Sequence, residues 1–73
     1  MSPRKRWRLK FIPRFTYSKV QPSQKRAYEM VSMHRDLYAE GMSGTHRIDV
    51  EVDGGDGWAL YERVIFPERT RNG

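Results

Sequence analysis

Basic side chains dominate the first third of this chain, and they are the residues best suited to bind an anion. Residues 1–26 contain nine lysines and arginines and no aspartate or glutamate. Long cationic side chains that share one surface bind phosphate oxygens, and each contact releases counterions from a nucleic acid. The sequence therefore predicts a small basic binding protein that contacts the DNA or RNA backbone. The candidate contact residues are Arg4, Lys5, Arg6, Arg8, Lys10, Arg14, Lys19, Lys25 and Arg26.

Aromatic residues alternate with these cations, as a stacking platform for single strands requires. Trp7 and Phe11 share one face of a predicted strand with Leu9, so we assign them to the core. Phe15 and Tyr17 come later in the basic segment, and Tyr17 is the ring that we expect to remain accessible to a base.

Two other roles for the basic segment remain open, because the middle of the chain is acidic. Residues 27–62 contain eight acids against only two arginines. The cations of the first strand could pair with these acids inside the fold, where each opposite-charge pair across strands contributes about 0.2–1 kcal/mol. Alternatively, the basic segment could dock on an acidic surface of another protein.

The acidic series Asp49, Glu51, Asp53 and Gly54 has the spacing that begins an EF-hand calcium loop. Such a loop needs a bidentate glutamate at its twelfth position, and Leu60 occupies that position here. We therefore predict no metal site and interpret the series as the solvated face of a strand, paired across the sheet with Arg6, Arg8 and Lys10.

No residues with the types and spacing of a catalytic site are found. The two histidines, His34 and His46, lack further nitrogen or sulfur ligands at metal-binding spacing, and the chain has no cysteine. The serines lie in no nucleophile motif. The sequence thus predicts a non-enzymatic protein without catalytic residues or a cofactor.

Length and composition favour one small domain. Seventy-three residues bury only roughly 60% of their unfolded surface, so a homodimer is one way to bury more. No apolar run is long enough to cross a membrane, and no signal peptide follows the first basic residues. Together with the absence of cysteine, this favours a cytoplasmic location.

The first half of the chain predicts two strands and a helix. After a flexible basic arm at residues 1–5, Trp7, Leu9 and Phe11 alternate with basic residues as in a strand that ends at Pro13. Residues 15–20 predict a second strand. Apolar residues at helical spacing then predict a helix over residues 23–40, with Ser23 as N-cap and Gly41 as left-handed C-cap.

The second half predicts a β-hairpin. Residues 45–53 and 58–66 form its strands, and the glycines at 54, 55 and 57 supply the positive φ angles of the turn. Residues 68–73 predict a frayed tail. The chain is therefore predicted to be a single α+β domain over residues 6–67, with the order strand-strand-helix-strand-strand. An antiparallel sheet packs one helix on one face, and its other face is wet and charged.

Three segments together resemble small uncharacterised proteins of actinobacterial bacteriophages. They are the strand Arg6–Phe11, the helix at residues 23–40, and residues 49–58 with Tyr61-Glu62-Arg63. The resemblance implies a non-enzymatic accessory protein that binds host machinery or nucleic acid in the host cytoplasm, and it assigns no functional residue.

Overall fold

A computed structural model describes residues 5–67 of the chain, and its elements follow the predicted order. The strands are β1 (Arg6–Ile12), β2 (Thr16–Tyr17), β3 (Arg47–Asp53) and β4 (Trp58–Ile65), and the helix α1 (Gln24–Ala39) lies between β2 and β3. Residues 1–4 of the predicted arm (residues 1–5) and the predicted tail at residues 68–73 lie outside the described residues.

The four strands form one antiparallel sheet in the order β2-β1-β3-β4. This confirms the predicted α+β fold with one helix packed on one face of the sheet. Alternate residues of β1 and β3 face the helix, and the core cluster consists of Trp7, Leu9, Ala27, Val31, Ile48, Val50 and Phe66. Burial of this apolar surface is the main favourable term in the stability of the domain.

The helix begins and ends as predicted. Ser23 is the N-cap, and its hydroxyl accepts a hydrogen bond from the Arg26 backbone N–H at 3.2 Å. Gly41 follows the C-cap residue Glu40 with a φ of 79°, a backbone conformation that glycine adopts without a steric penalty. The helix runs along the sheet so that Tyr28 lies near Tyr61 of β4, and His34 lies against Phe11 of β1.

The second strand is shorter than predicted. Phe15 has a φ of 56° and ends the turn that follows β1, so it is not part of β2. Beyond Tyr17, the Leu9 N–H donates a hydrogen bond to the Ser18 hydroxyl at 2.9 Å. In a regular strand the acceptor would be the Ser18 backbone carbonyl. The chain still follows β1 as far as Gln21, whose backbone exchanges two hydrogen bonds with Trp7.

A register shift between Val50 and Glu51 changes which residues of β4 face the helix. Strict alternation would put Glu62 on the same face as Trp58. Instead β4 has one extra residue, Tyr61, between Leu60 and Glu62, so that Glu62 turns towards the helix. Glu62 accepts a hydrogen bond from the Tyr28 hydroxyl, and Gln24 donates to the Tyr61 hydroxyl at 3.1 Å. Both β4 side chains therefore contact the helix, and Trp58 lies on the other face of the sheet beside Arg6 and Arg8.

Candidate nucleic-acid interface

The sheet face away from the helix, here called the open face, carries a ladder of ion pairs between β1 and β3. The antiparallel register sets Arg6 opposite Asp53 and Arg8 opposite Glu51. Both pairs form: an Arg6 guanidinium nitrogen contacts Asp53, and Arg8 Nε lies 2.6 Å from Glu51 Oε1. The charges of Arg6 and Arg8 are therefore compensated inside the fold, one of the roles that the sequence left open.

The third position of the ladder is different. Lys10 lies opposite Asp49 in the register, but Asp49 pairs with arginines of its own hairpin. Arg63 Nε lies 3.2 Å and Arg47 Nε 3.4 Å from Asp49 Oδ1. Within residues 5–67 no carboxylate lies in ion-pair distance of Lys10, so its charge is available to a ligand.

Arg8 is also enclosed by two aromatic rings. Its guanidinium carbon lies 4.1 Å from the centre of the Tyr17 ring and 4.2 Å from the centre of the Trp58 ring. A planar guanidinium stacks well on aromatic faces. The contact joins β2 to β4 across the open face and fixes one side of the Tyr17 ring.

The prediction that this face is wet is wrong for two of its acids. Asp49 is only 6% exposed and Asp53 only 5% exposed, because arginine side chains lie over them. Asp53 also organises the turn between β3 and β4: its Oδ1 accepts hydrogen bonds from the Gly55 N–H at 2.7 Å and the Gly57 N–H at 3.2 Å. The Gly55 hydrogen bond and the Arg6 contact lower the pKa of Asp53 below its ordinary value of 3.8.

We expect Asp53→Asn to destabilise the domain at neutral pH, although by less than truncation of a buried leucine. An amide keeps the shape but loses the charge that Arg6 and the two N–H groups stabilise. A carboxyl with a lowered pKa contributes stability that is present above its unfolded pKa and is lost as the pH falls through its folded pKa. The difference in free energy of unfolding between the two proteins should therefore shrink below about pH 4.

Urea unfolding followed from pH 7 downwards measures this difference. Asp56→Asn is the matched control, because Asp56 lies in the same turn and is exposed. A constant difference between wild type and Asp53→Asn across this pH range would contradict the assigned role of the Asp53 charge.

Two exposed aromatic rings lie at the β2 edge of the sheet, on the turn and strand that follow β1, and cations on β1, in the turn and after β2 lie close by. Phe15 is 61% exposed and Tyr17 is 48% exposed, and Tyr17 is accessible as predicted. The Lys10 Nζ lies 5.1 Å from the centre of the Phe15 ring and 5.8 Å from the centre of the Tyr17 ring. We call this region the β1–β2 surface; it comprises Lys10, Arg14, Phe15, Tyr17 and Lys19.

Phe15 is unusual in its backbone as well as in its exposure. A bulky residue rarely has a positive φ, and the left-handed conformation costs it roughly 1–2 kcal/mol. No burial of the ring offsets this cost, since most of the side chain faces solvent. The turn thus holds an aromatic ring outwards beside a lysine. The sequence pattern did not indicate this arrangement, because it predicted a strand that begins at Phe15.

The remaining predicted contact residues are spread over the molecule. Lys5 precedes β1, and Lys25 and Arg26 lie in the first turn of α1, where all three are exposed. Arg14 and Lys19 are also exposed. Within residues 5–67, none of these five cations lies within ion-pair distance of a carboxylate. Arg4 lies outside the described residues.

A small cavity opens on the helix side of the same edge. It has a volume of about 280 Å³ and is lined by Phe11, Arg14, Thr16, His34, Met42, Ser43, Gly44 and Thr45. The Phe11 and His34 ring centres are 4.7 Å apart, and His34 Nδ1 is buried without a hydrogen-bond partner in the described part of the chain. Burial lowers the pKa of His34, so the ring is neutral at pH 7. His46, in contrast, is exposed.

Residues 5–67 contain neither a cluster of metal-ligating side chains nor a helix that could span a membrane. No group of three or more histidine, aspartate or glutamate side chains there could hold a metal ion. The helix in this part of the chain is too short and too polar to cross a membrane.

The chain was also compared with protein-family models, with curated proteins and with solved structures. None of them matches it.

Proposed function

We propose that this protein binds single-stranded nucleic acid, and that the β1–β2 surface is where it does so. The observation that carries the proposal is the pair of exposed rings, Phe15 and Tyr17, close to Lys10, which has no carboxylate partner within residues 5–67. Non-specific single-strand binders combine cations along the backbone with rings on which bases stack. Lys10 supplies the first feature and the two rings the second.

The ion-pair ladder refines which of the nine predicted cations take part. Arg6 and Arg8 hold carboxylates, and a phosphate would have to replace those partners. Lys10, Arg14 and Lys19 need no such exchange, and they lie close to the rings: Lys10 on the neighbouring strand β1, Arg14 next to Phe15 in the turn, and Lys19 just after β2. The binding residues in this proposal are therefore these three cations with Phe15 and Tyr17. The ion pairs of Arg6 and Arg8 have a structural role in the sheet that carries them.

The charge contribution is tested by replacing Lys10 and Arg14 together with glutamine. Each phosphate contact on a single strand contributes about −0.7 to the slope of log K against log salt, so the double variant should flatten that slope by about 1.4. Affinity at low salt should fall roughly tenfold. Fluorescence anisotropy with a labelled oligonucleotide of about 10 nucleotides measures both quantities.

Lys25→Gln with Arg26→Gln is the matched control, because it removes the same charge from an exposed site on α1. If this control lost as much affinity as the β1–β2 variant, the contact would depend on net charge or on the helix start, and the assignment to the β1–β2 surface would be wrong. Wild-type protein that binds neither DNA nor RNA strands at low salt would refute the function itself.

A second candidate function is binding of a protein partner, and the edge of β4, which pairs with no further strand within residues 5–67, favours it. Leu60, Tyr61 and Ile65 are exposed there, and a strand edge can pair with an extended segment of another chain. This candidate agrees with a phage-type accessory protein that modulates a host protein. A protein partner that stays bound after nuclease treatment, and that the double variant Leu60→Lys with Ile65→Lys no longer binds, would support this candidate over nucleic-acid binding.

A further inference from the structure

The cavity on the helix side of the β1–β2 edge has the wall chemistry of a site for one aromatic ring. Phe11 and His34 form an apolar, aromatic wall, and their planes are tilted by 48°. Three hydroxyl-bearing residues, Thr16, Ser43 and Thr45, are also part of the lining. The volume of about 280 Å³ is slightly below the usual range of ligand pockets, so it suits a single small unit such as one ring.

His34 determines which part of a ligand this wall would contact. A buried polar atom without a partner is rare, because it loses its hydrogen bond to water. The neutral imidazole ring suits an uncharged heterocycle better than an anion, while its Nδ1 is enclosed by the protein. The anion-binding group at this site is the exposed guanidinium of Arg14, which also lines the cavity.

The cavity is continuous with the proposed strand-binding surface. Thr16 lines the cavity and stands between Phe15 and Tyr17 in the sequence. Neighbouring residues of a strand point to opposite faces, so Thr16 faces the helix side while Tyr17 faces the open side with Lys10. A nucleic-acid strand that crosses this edge of the sheet would thus meet the stacking rings on one side and the cavity on the other.

We propose that the cavity holds one unstacked base of the bound strand, with the base against Phe11 and His34 and its phosphate on Arg14. The proposal rests on the proposed function, since it assigns a base-sized subsite to the same strand. Unstacked bases held against aromatic side chains and hydrogen-bonded at their edges are the usual way in which proteins recognise single strands.

Gly44 allows the cavity to be filled without altering charge. A Cβ built at Gly44 meets no atom within 4 Å, and the same is true of Gly54 in the distant β3–β4 turn. Gly44→Leu should therefore fold and narrow the cavity, while Gly54→Leu adds the same side chain elsewhere. We expect Gly44→Leu to weaken binding of a single-stranded oligonucleotide about fivefold to tenfold with an unchanged salt slope, and Gly54→Leu to leave affinity unchanged.

The second measurement uses wild-type protein and the NMR signals of the His34 ring. These signals should shift on addition of the oligonucleotide, and the shift should be absent with a strand of the same length that lacks bases. Oligonucleotide binding without a His34 shift, or with equal affinity for Gly44→Leu and wild type, would overturn the cavity assignment and leave the proposed function standing. Failure of wild type to bind any strand would overturn both.

Discussion

Leu9→Ala should destabilise the domain by about 3 kcal/mol, more than any polar substitution considered above. Leu9 is fully buried in the middle of β1, where it faces the helix, and its loss leaves a cavity that the surrounding side chains fill only in part. A chain of this length has a free energy of unfolding of about 4–11 kcal/mol. The substitution therefore removes a large share of the total stability.

Leu60→Ala is the matched control, because it makes the same chemical change on a side chain that is 53% exposed. Urea unfolding followed by tryptophan fluorescence compares the two variants, and the control should change the free energy of unfolding by no more than about 0.5 kcal/mol. If Leu9→Ala is unfolded without urea, Ile48→Val provides a smaller step of about 1 kcal/mol at another fully buried position. Equal losses for Leu9→Ala and Leu60→Ala would contradict the assignment of the helix-facing side as the core.

The sequence predicted those parts of the fold that depend on local patterns. Alternation in β1 and β3 identified the faces that carry Leu9 and Val50, because one face of each strand must be buried. Ser23 and Gly41 were identified as helix caps because a serine hydroxyl can accept a backbone hydrogen bond and glycine can adopt a positive φ angle, and both properties are local. These patterns do not depend on residues far away in the sequence, which is why the predictions made from them were correct.

The features that the sequence did not predict depend on contacts between distant segments. The alternation of β4 gives no sign of the register shift that turns Glu62 towards Tyr28, since the shift arises opposite Val50 and Glu51. The cavity likewise forms where the loop after α1 meets the turn after β1, and only His34 on the apolar helix stripe was a local signal of it.

The candidate site was foreseen as a charged segment but not as a surface. Arg6, Arg8 and Lys10 have the same spacing on one strand, so the sequence treats them as equivalent. The fold separates them, because Asp53 and Glu51 pair with the two arginines while Asp49 is taken by Arg63. Of these three β1 cations, Lys10 is therefore the one without a carboxylate partner within residues 5–67. A count of charges thus overestimates the number of phosphate contacts, and an experimental salt slope should reflect the smaller set.

Removal of both exposed rings should abolish most of the affinity for single strands. Stacking of a base on an aromatic side chain contributes about 1–3 kcal/mol, so the loss of two rings weakens binding at least about 30-fold. Phe15→Asn with Tyr17→Thr is the suitable variant. Asparagine tolerates the positive φ at position 15, and threonine retains a strong preference for the strand at position 17. Because no cation is removed, the salt slope should stay the same while the affinity at every salt concentration falls.

Ile65→Thr is the control for this variant, because it removes an exposed apolar side chain from β4, at the other edge of the open face. Anisotropy titrations with a single strand and with the corresponding duplex complete the design. A duplex hides its base faces, so wild type should prefer the single strand and the double variant should lose that preference. An unchanged preference for the single strand in Phe15→Asn with Tyr17→Thr would mean that these two rings do not recognise unstacked bases, and would contradict their assignment as the stacking platform.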